Sequence, residues 1–268
     1  MIRLLRAGLV IVLVASLAAI GTIATAVVAF QVVDRSGTML IAGRRGDVAE
    51  WPENTLSGVL AARELGADAI EMDVRRSADG TFYLMHDATV ERTTDGEGSI
   101  AELHDQQIDA LTIDGGLGFA GQRGIGVPTL EEVLDGLAGY PGLILLDGKG
   151  GPGEHLALAR LVTERELAAR AWIGCYGPEQ AEAVGSVGPI VTYGGLFTGA
   201  ELLMTPSPLG PLDALLAPSV TAIDQRWTGS EAEPRAVAWR LGVRVYITNR
   251  LAESLEWARI LSGGAATP

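Results

Sequence analysis

Cysteine and histidine are both scarce in this sequence. The single cysteine, Cys175, excludes an intrachain disulfide, and the apolar residues 171–174 before it predict a buried small side chain rather than a reactive thiol. Only three histidines occur in the chain. His104 lies in a polar run and His155 at the start of a predicted helix, so we expect both at the surface, whereas His86 ends an apolar run.

Positive charge is limited as well. The chain contains 20 lysines and arginines against 33 aspartates and glutamates, which gives a net charge of −13 at pH 7. An acidic surface repels the phosphates of nucleic acid, so we predict no nucleic-acid partner. The length of 268 residues and the hydrophobic content of 48% are enough for one core, and a single α/β barrel of this size is common.

A long uncharged run stands near the N-terminus. Residues 7–30 contain no charged side chain, and at about 1.5 Å per residue a helix of that length would span a bilayer core. Arg3 and Arg6 precede the run, so the positive-inside rule predicts a cytoplasmic N-terminus. We therefore expect residues 1–37 to form a cytoplasmic stub, a transmembrane helix and a linker, with residues 38–268 outside the cell membrane. The alternative is a cleaved signal peptide and a secreted domain.

Short apolar runs alternate with amphipathic segments after residue 38, which is typical of a parallel β/α scaffold. The alternation is interrupted by a glycine-rich, polar stretch at 87–127. Pro206, Pro208 and Pro211 predict an irregular segment at residues 196–218. The predicted strands cover residues 39–42, 69–74, 82–86, 143–146, 171–175, 189–193, 220–223 and 244–247.

Charged residues stand at the ends of four predicted strands: Arg44 and Arg45, Glu71 and Asp73, His86 and Asp87, and Asp147 and Lys149. The carboxyl ends of parallel strands meet at one edge of a barrel, where active sites lie. Glu71 and Asp73 are two residues apart on one strand, so both side chains point to the same face, roughly 6–7 Å apart. Such a pair favours a bound cation. From this pair alone, however, two solvated charges at the edge of the strand remain the alternative.

Four motifs in register point to a known family. Residues 52–55 read P-E-N-T, residues 71–73 read E-M-D, residues 86–87 read H-D, and residues 91–98 read E-R-T-T-D-G-E-G. In these motifs the chain resembles the glycerophosphodiester phosphodiesterase family, over about residues 39–250. The resemblance implies an α/β fold, a TIM-barrel-like (β/α)8 domain with a small insertion after the third predicted strand.

The resemblance also implies roles for the residues at the motif positions. His86 corresponds to the general acid that protonates the leaving alkoxide, and Arg45 to an arginine that holds the phosphate. Lys149 supplies a second positive charge for the phosphate. The remaining positions correspond to the ligands of a divalent cation, Mg²⁺ or Ca²⁺ (Glu71, Asp73 and Asp147), and to residues that orient the arginine and the ligands (Glu53 and Asn54).

The family's first motif, H-R-G, reads R-R-G here, and Arg44 stands at the position of the first catalytic histidine. In the family this histidine is the general base toward the attacking hydroxyl, whereas an arginine stays protonated and cannot accept that proton. An arginine at this catalytic position can still bind phosphate.

The resemblance implies metal-dependent hydrolysis of glycerophosphodiesters, or of lysophospholipid-like phosphodiesters, to glycerol 3-phosphate and an alcohol. We expect Arg44 to weaken this activity. The alternative is an inactive family member that binds a phosphodiester or a phospholipid headgroup. The expected partners are therefore a small-molecule phosphodiester and, through the N-terminal helix, the membrane.

Overall fold

The computed structural model describes residues 39–194, 202–205, 221–226 and 245–262. The strands in these ranges are β1 Leu40–Arg44, β2 Ala69–Arg76, β3 Phe82–Leu84, β4 Leu143–Gly148, β5 Ala171–Cys175, β6 Thr192–Gly194, β7 Leu202–Thr205, β8 Thr221–Arg226 and β9 Val245–Thr248. The helices are α1 Leu56–Glu64, α2 Asp105–Ile108, α3 Leu130–Gly136, α4 Pro152–Glu164, α5 Pro178–Gly185 and α6 Leu251–Ser262.

The parallel strands curl into a ring. Neighbouring strands follow the order β1-β9-β8-β7-β6-β5-β4-β2, and β1 also pairs in parallel with β2, so the ring closes. In the closing pairs, Ala42 lies opposite Ala69 and Leu40 lies opposite Val245. This arrangement agrees with the TIM-barrel-like α/β fold that the sequence predicts.

Side chains along the barrel strands alternate between two cores. One core consists of strand residues alone and fills the inside of the ring: Ala42, Ala69, Leu145, Tyr193, Val245 and Ile247. The residues next to them, such as Ile144 and Leu146, belong to a larger core that includes Val59 of α1 and Leu158 of α4. Successive side chains on a strand point to opposite faces. A residue two or four positions after an inner-layer residue therefore also points inward, but lies nearer the carboxyl end of the barrel.

The third predicted strand, residues 82–86, is not part of the ring. Phe82–Leu84 forms β3, which runs antiparallel to the end of β2, and the next place in the ring belongs to β4. The turn around Gly80 is too short for a crossover, since a parallel neighbour needs a connection of a dozen or more residues. The predicted insertion follows β3 and has a small core of its own: Tyr83, Met85, Val90, Ile100, Ile108, Ile113 and Val127.

The prediction that residues 196–218 are irregular is wrong in part. Leu202–Thr205 forms β7, which pairs in parallel with β6 and with β8. The strand is four residues long, and Pro206 follows it directly. A strand this short carries little periodic signal, and the nearby prolines hide it in the sequence.

The structure contradicts the membrane localisation predicted from the sequence. Within the described ranges, no helix is both long enough and apolar enough to cross a bilayer. The uncharged run of residues 7–30 and the domain boundary at residue 38 lie outside the described residues.

The prediction that His155 lies at the surface is also wrong. His155 belongs to α4, its side chain is buried, and its Nδ1 and Nε2 atoms lie 3.0 Å and 2.9 Å from the carbonyl oxygens of Gly151 and Gly174. The imidazole therefore connects the start of α4 to strand β5, and it lies beside the end of β4.

Replacing His155 with leucine is expected to lower the free energy of unfolding by about 1–3 kcal/mol, because the buried carbonyl of Gly174 loses its imidazole contact. Denaturant unfolding followed by circular dichroism measures the change. His104→Leu is the control, since the His104 side chain is 67% exposed, and its effect is expected to be smaller. Equal effects of the two substitutions would contradict a supporting role for His155.

Candidate active site

Three acidic side chains meet at the carboxyl end of the barrel. Glu71 and Asp73 lie on β2 and Asp147 lies opposite Asp73 on β4, so the ladder brings the carboxylates together. All three side chains are buried, and their ligand oxygens lie within 4.8 Å of one another. The structure thus places the three predicted metal ligands at one point.

The buried carboxylates perturb one another. Burial, followed by the charges of Asp73 and Asp147, raises the pKa of Glu71 to about 8. Burial also raises the pKa of Asp147. Burial disfavours the charge on Asp73 too, but Lys149 and Arg45 outweigh it and lower the pKa of Asp73. Burial and mutual repulsion therefore disfavour full ionisation of Glu71 and Asp147, while the neighbouring cations favour it for Asp73.

Asp147 has one occupied oxygen and one bare oxygen. Its Oδ2 atom accepts hydrogen bonds from Lys149 Nζ at 2.7 Å and from the Tyr176 hydroxyl at 2.8 Å. Its Oδ1 atom is buried and has no hydrogen-bond partner. A buried carboxylate oxygen without a partner is costly unless a cation binds it, and three carboxylates form a donor set that suits Mg²⁺ or Ca²⁺.

The loop after β1 is held in an unusual backbone conformation. Arg45 and Gly46 have φ angles of +54° and +89°, and a Cβ at Gly46 would lie 2.7 Å from the carbonyl carbon of Gly58. Only glycine fits that close approach to α1. The Arg45 amide donates to Glu71 Oε2 at 2.9 Å, so the tight turn fixes the arginine beside the acid cluster.

Arg45 lies between two buried acids. Its Nη1 atom is 2.8 Å from Glu53 Oε1. Its Nε atom is 2.8 Å from Asp73 Oδ2, although the pair lacks the alignment of a hydrogen bond. The predicted partner Glu53 therefore contacts the arginine directly.

Asn54 contacts a predicted metal ligand twice. Its Nδ2 atom donates to Asp73 Oδ2 at 2.8 Å, and its Oδ1 atom accepts from the Asp73 amide at 3.1 Å. The neighbouring Thr55, rather than Asn54, caps helix α1 by accepting from the Gly58 amide. The asparagine side chain thus orients the acid and leaves the helix start to the threonine.

His86 reaches the site from the insertion side rather than from a strand of the ring. Its side chain is 38% exposed, and its Nδ1 atom lies 2.6 Å from Asp87 Oδ1. Its backbone carbonyl accepts from Arg75 Nε at 2.9 Å, which ties this segment to the end of β2. With Nδ1 facing Asp87, the Nε2 atom is the ring nitrogen that faces away from the pair.

Arg92 is a site residue that sequence reasoning missed. Its Nη2 and Nη1 atoms lie 2.7 Å and 3.1 Å from the two carboxylate oxygens of Glu53, and its Nε atom contacts Asp87. Arg92 thereby connects the carboxylate that holds Arg45 to the carboxylate that holds His86. The signal was its place in the motif of residues 91–98, to which no role was assigned.

Tyr176 is a second missed residue. Trp172 packs in the inner layer, and counting by two along β5 leads through Gly174 to Tyr176. A Cβ at Gly174 would lie 3.1 Å from Asp147 Oδ1 and 3.2 Å from Tyr193 Cζ, so a side chain at this inner position would be tightly packed against both residues. The inner-face spacing was the signal that could have found Tyr176.

Arg44 ends β1 on the inner-facing side, opposite Glu71 in the β1–β2 ladder. Its side chain is buried, and Nη1 lies 3.4 Å from Asn249 Oδ1. Burial and the adjacent Arg45 lower the pKa of Arg44, while Glu71 raises it, but a guanidinium remains charged in proteins. The structure therefore places a permanent positive charge at the edge of the acid cluster.

Cys175 is buried at the end of β5, as predicted. Burial, followed by the charge of Asp147, raises the pKa of its thiol to about 12. Because the thiolate is the reactive form, we expect no labelling of the folded protein by a thiol reagent at pH 8, and one labelled thiol per chain in denaturant. Rapid labelling of the native protein would contradict this buried placement.

The sequence of this chain is similar to those of known proteins. The model of the "Glycerophosphoryl diester phosphodiesterase family" matches residues 45–141. A glycerophosphodiester phosphodiesterase from Caldanaerobacter subterraneus subsp. tengcongensis is 34% identical over 164 residues, which cover 59% of this chain and 66% of that protein. Glycerophosphodiester phosphodiesterase 1 from Homo sapiens is 33% identical over 126 residues, 46% of this chain and 37% of that protein. The chain thus spans less than two thirds of the length of either relative.

Solved structures share the fold. A glycerophosphoryl diester phosphodiesterase from Parabacteroides distasonis superposes with a TM-score of 0.69 at 21% identity and covers 86% of this chain and 89% of its own. An Oleispira antarctica phosphodiesterase, solved in complex with the product sn-glycerol-3-phosphate, gives 0.67 at 17% identity and covers 82% and 96%. The motifs, the fold and the family-model match over residues 45–141 all show similarity to the glycerophosphoryl diester phosphodiesterase family.

Proposed function

We propose that this protein hydrolyses glycerophosphodiesters to glycerol 3-phosphate and an alcohol. The observation that carries the proposal is the meeting of three buried carboxylates with Arg45 and Lys149 at the carboxyl end of the barrel. Two of the three acids and the arginine lie within the segment that matches the family. Lysophospholipid-like phosphodiesters share the glycerophosphodiester bond and fall within the same proposal.

Glu71, Asp73 and Asp147 would hold a divalent cation. The bare Oδ1 atom of Asp147 and the raised pKa of Glu71 both fit a site whose negative charge is balanced by an ion. When bound, Mg²⁺ or Ca²⁺ would polarise a phosphoryl oxygen and offset the charge that develops during transfer.

Arg45 and Lys149 provide the positive charge that an anionic phosphodiester needs. Lys149 Nζ lies 2.9 Å from Asp73 Oδ1 and 2.7 Å from Asp147 Oδ2, at the edge of the acid cluster. Although burial opposes it, these two acids raise the pKa of Lys149, so the ammonium stays charged. The side chains of Arg45 and Lys149 thus orient the phosphate over the carboxylates.

His86 would supply the proton that the leaving group needs. Asp87 contacts Nδ1 and favours a proton there, so an imidazolium would release its other proton from Nε2. When the bond between phosphorus and the leaving oxygen breaks, the oxygen takes this proton and leaves as the neutral alcohol. The partial exposure of His86 lets a substrate reach it.

A second candidate function is binding without turnover. It is favoured by Arg44, a guanidinium at the position where the motif resemblance implies a general base. A guanidinium can hold two phosphate oxygens at once but cannot remove a proton from an attacking hydroxyl. A phosphodiester or a phospholipid headgroup would then be bound without being hydrolysed.

An assay for glycerol 3-phosphate release separates the two candidates. The purified protein is incubated with a glycerophosphodiester and Mg²⁺ or Ca²⁺, and we expect turnover that stops when EDTA is added. Asp73→Asn should abolish the release, because the acid contacts Asn54, Arg45 and Lys149. Substrate binding without release, in either cation, would make the second candidate the better one.

EDTA is expected to lower the melting temperature of the protein. An ion that binds only the folded state stabilises it by about 2.7 kcal/mol at one hundred times its Kd, which corresponds to roughly 5–10 °C for a domain of this size. Differential scanning fluorimetry with Mg²⁺, Ca²⁺ or EDTA measures the shift.

Two variants control this experiment. Glu71→Ala removes a proposed ligand and should remove the sensitivity to EDTA. Glu131→Ala removes an exposed glutamate of α3 and should leave the sensitivity unchanged. If EDTA does not change the wild-type melting temperature, the cation assignment is wrong.

A further inference from the structure

Tyr176 makes an unusual pair of contacts at the barrel mouth. Its hydroxyl donates to Asp147 Oδ2 at 2.8 Å, the oxygen that also accepts from Lys149. Its ring lies 5.9 Å from Lys149 Nζ. One tyrosine thus contacts both the acid and the lysine of the strand-end pair on β4.

The backbone of Tyr176 is fixed by a second residue. The Tyr176 amide donates to Gln180 Oε1 at 2.7 Å, and Gln180 Nε2 donates to the carbonyl of Gly150 at 2.8 Å. Gln180 therefore joins the loop after β5 to the loop after β4. The phenol is held in place from its own backbone as well as from the acid it contacts.

These contacts decide which oxygen of Asp147 remains available. Oδ2 receives two donors, while Oδ1 is buried without any. A rotation of the carboxylate would break two hydrogen bonds to a charged group, which are stronger than hydrogen bonds between neutral groups. The bare oxygen is thereby kept in one orientation.

We propose that Tyr176 is a positioning residue for the cation site, and that its hydroxyl holds Asp147 so that Oδ1 is free to bind the ion. The inference rests on the proposed function, since it needs the cation that Glu71, Asp73 and Asp147 would hold. Partners that orient a ligand from behind typically change metal affinity by about 10- to 100-fold when they are removed.

Tyr176→Phe tests the inference because it removes the hydroxyl and keeps the ring beside Lys149. Isothermal titration calorimetry of MgCl₂, and separately of CaCl₂, into the EDTA-treated and dialysed full chain measures affinity without any turnover. We expect a Kd at least about tenfold weaker than that of the wild type.

Tyr83→Phe is the matched control. The Tyr83 hydroxyl lies 2.8 Å from Asp109 Oδ1, the same type of contact at the same length, but within the insertion. Its removal should leave the Kd unchanged. Equal losses in the two variants would show a general effect of lost hydroxyls and overturn the inference.

Tyr176→Leu is measured beside Tyr176→Phe, and circular dichroism establishes that both fold. A loss in the leucine variant alone would assign the effect to the ring beside Lys149 and overturn the role of the hydroxyl. If only the leucine variant folds, wild-type affinity in that variant overturns the inference.

The proposed function and the inference fail in different ways. Wild-type binding with no loss in Tyr176→Phe overturns the inference and leaves the cation site intact. No binding of either cation by the wild type overturns the cation site and, with it, the role of Tyr176.

Discussion

Replacing His86 with alanine is expected to lower kcat for a glycerophosphodiester by about 10²- to 10⁴-fold, the usual contribution of a positioned general acid. An alkoxide is a poor leaving group and needs a proton as the bond to phosphorus breaks. His86 is the histidine that the described fold brings to this end of the barrel, since His155 is buried below it and His104 lies in the exposed part of the insertion.

His104→Ala provides a matched control for His86→Ala. The Nδ1 atom of His104 lies 2.8 Å from Asp79 Oδ1, just as Nδ1 of His86 lies 2.6 Å from Asp87 Oδ1. Loss of His104 should leave kcat unchanged. A substrate with an acidic leaving group, such as a nitrophenol, should recover most of the His86→Ala loss, because it leaves without a proton. An equal loss with both kinds of leaving group would contradict the general-acid role.

The strand-end residues could be predicted because parallel strands place their carboxyl ends together. Asp73 and Asp147 are far apart in sequence, but both stand at the carboxyl ends of parallel strands, and the β2–β4 ladder of the structure places them opposite each other. The spacing of Glu71 and Asp73 then sets which way both carboxylates face. Motif, period and topology agree at this point, so the sequence was sufficient for the acid cluster.

Contacts that depend on packing between loops could not be predicted in the same way. Arg92 lies 39 residues from Glu53, and Tyr176 lies 29 residues from Asp147. Neither contact follows from a strand pairing, because Arg92 belongs to the insertion and Tyr176 stands beyond the last residue of β5. These contacts can be identified only from the structure, which shows where the loops lie.

Errors in the strands and in His155 have a related cause. The apolar run before His86 has the composition of a barrel strand, yet the tight turn at Gly80 makes β3 antiparallel. His155 follows a glycine-rich polar stretch that indicates a surface, yet α4 packs its first turn against β5. In both cases the local composition fits the prediction, but the direction that the chain takes next determines where the residues lie.

Replacing Arg44 with histidine is expected to raise kcat for a glycerophosphodiester by at least about tenfold, because general-base catalysis contributes about 10²- to 10⁴-fold when it is present. Arg44 ends β1 opposite Glu71, and its side chain lies within the field of the acid cluster. An imidazole at this position can accept the proton of an attacking hydroxyl, which a guanidinium cannot do. Steady-state kinetics with Mg²⁺ or Ca²⁺, for the wild type and the variant, measures the change.

Arg44→Ala distinguishes a gained base from a lost charge. If the rise with histidine comes from proton transfer, alanine should not reproduce it, and His86→Ala should suppress activity in the Arg44→His background as it does in the wild type. An equal rise with alanine would mean that the arginine slows the reaction by its charge or its bulk. A fall in activity with both substitutions would mean that Arg44 contributes positively, as a second clamp on the phosphate beside Arg45, and the interpretation of Arg44 as a loss of the general base would then be wrong.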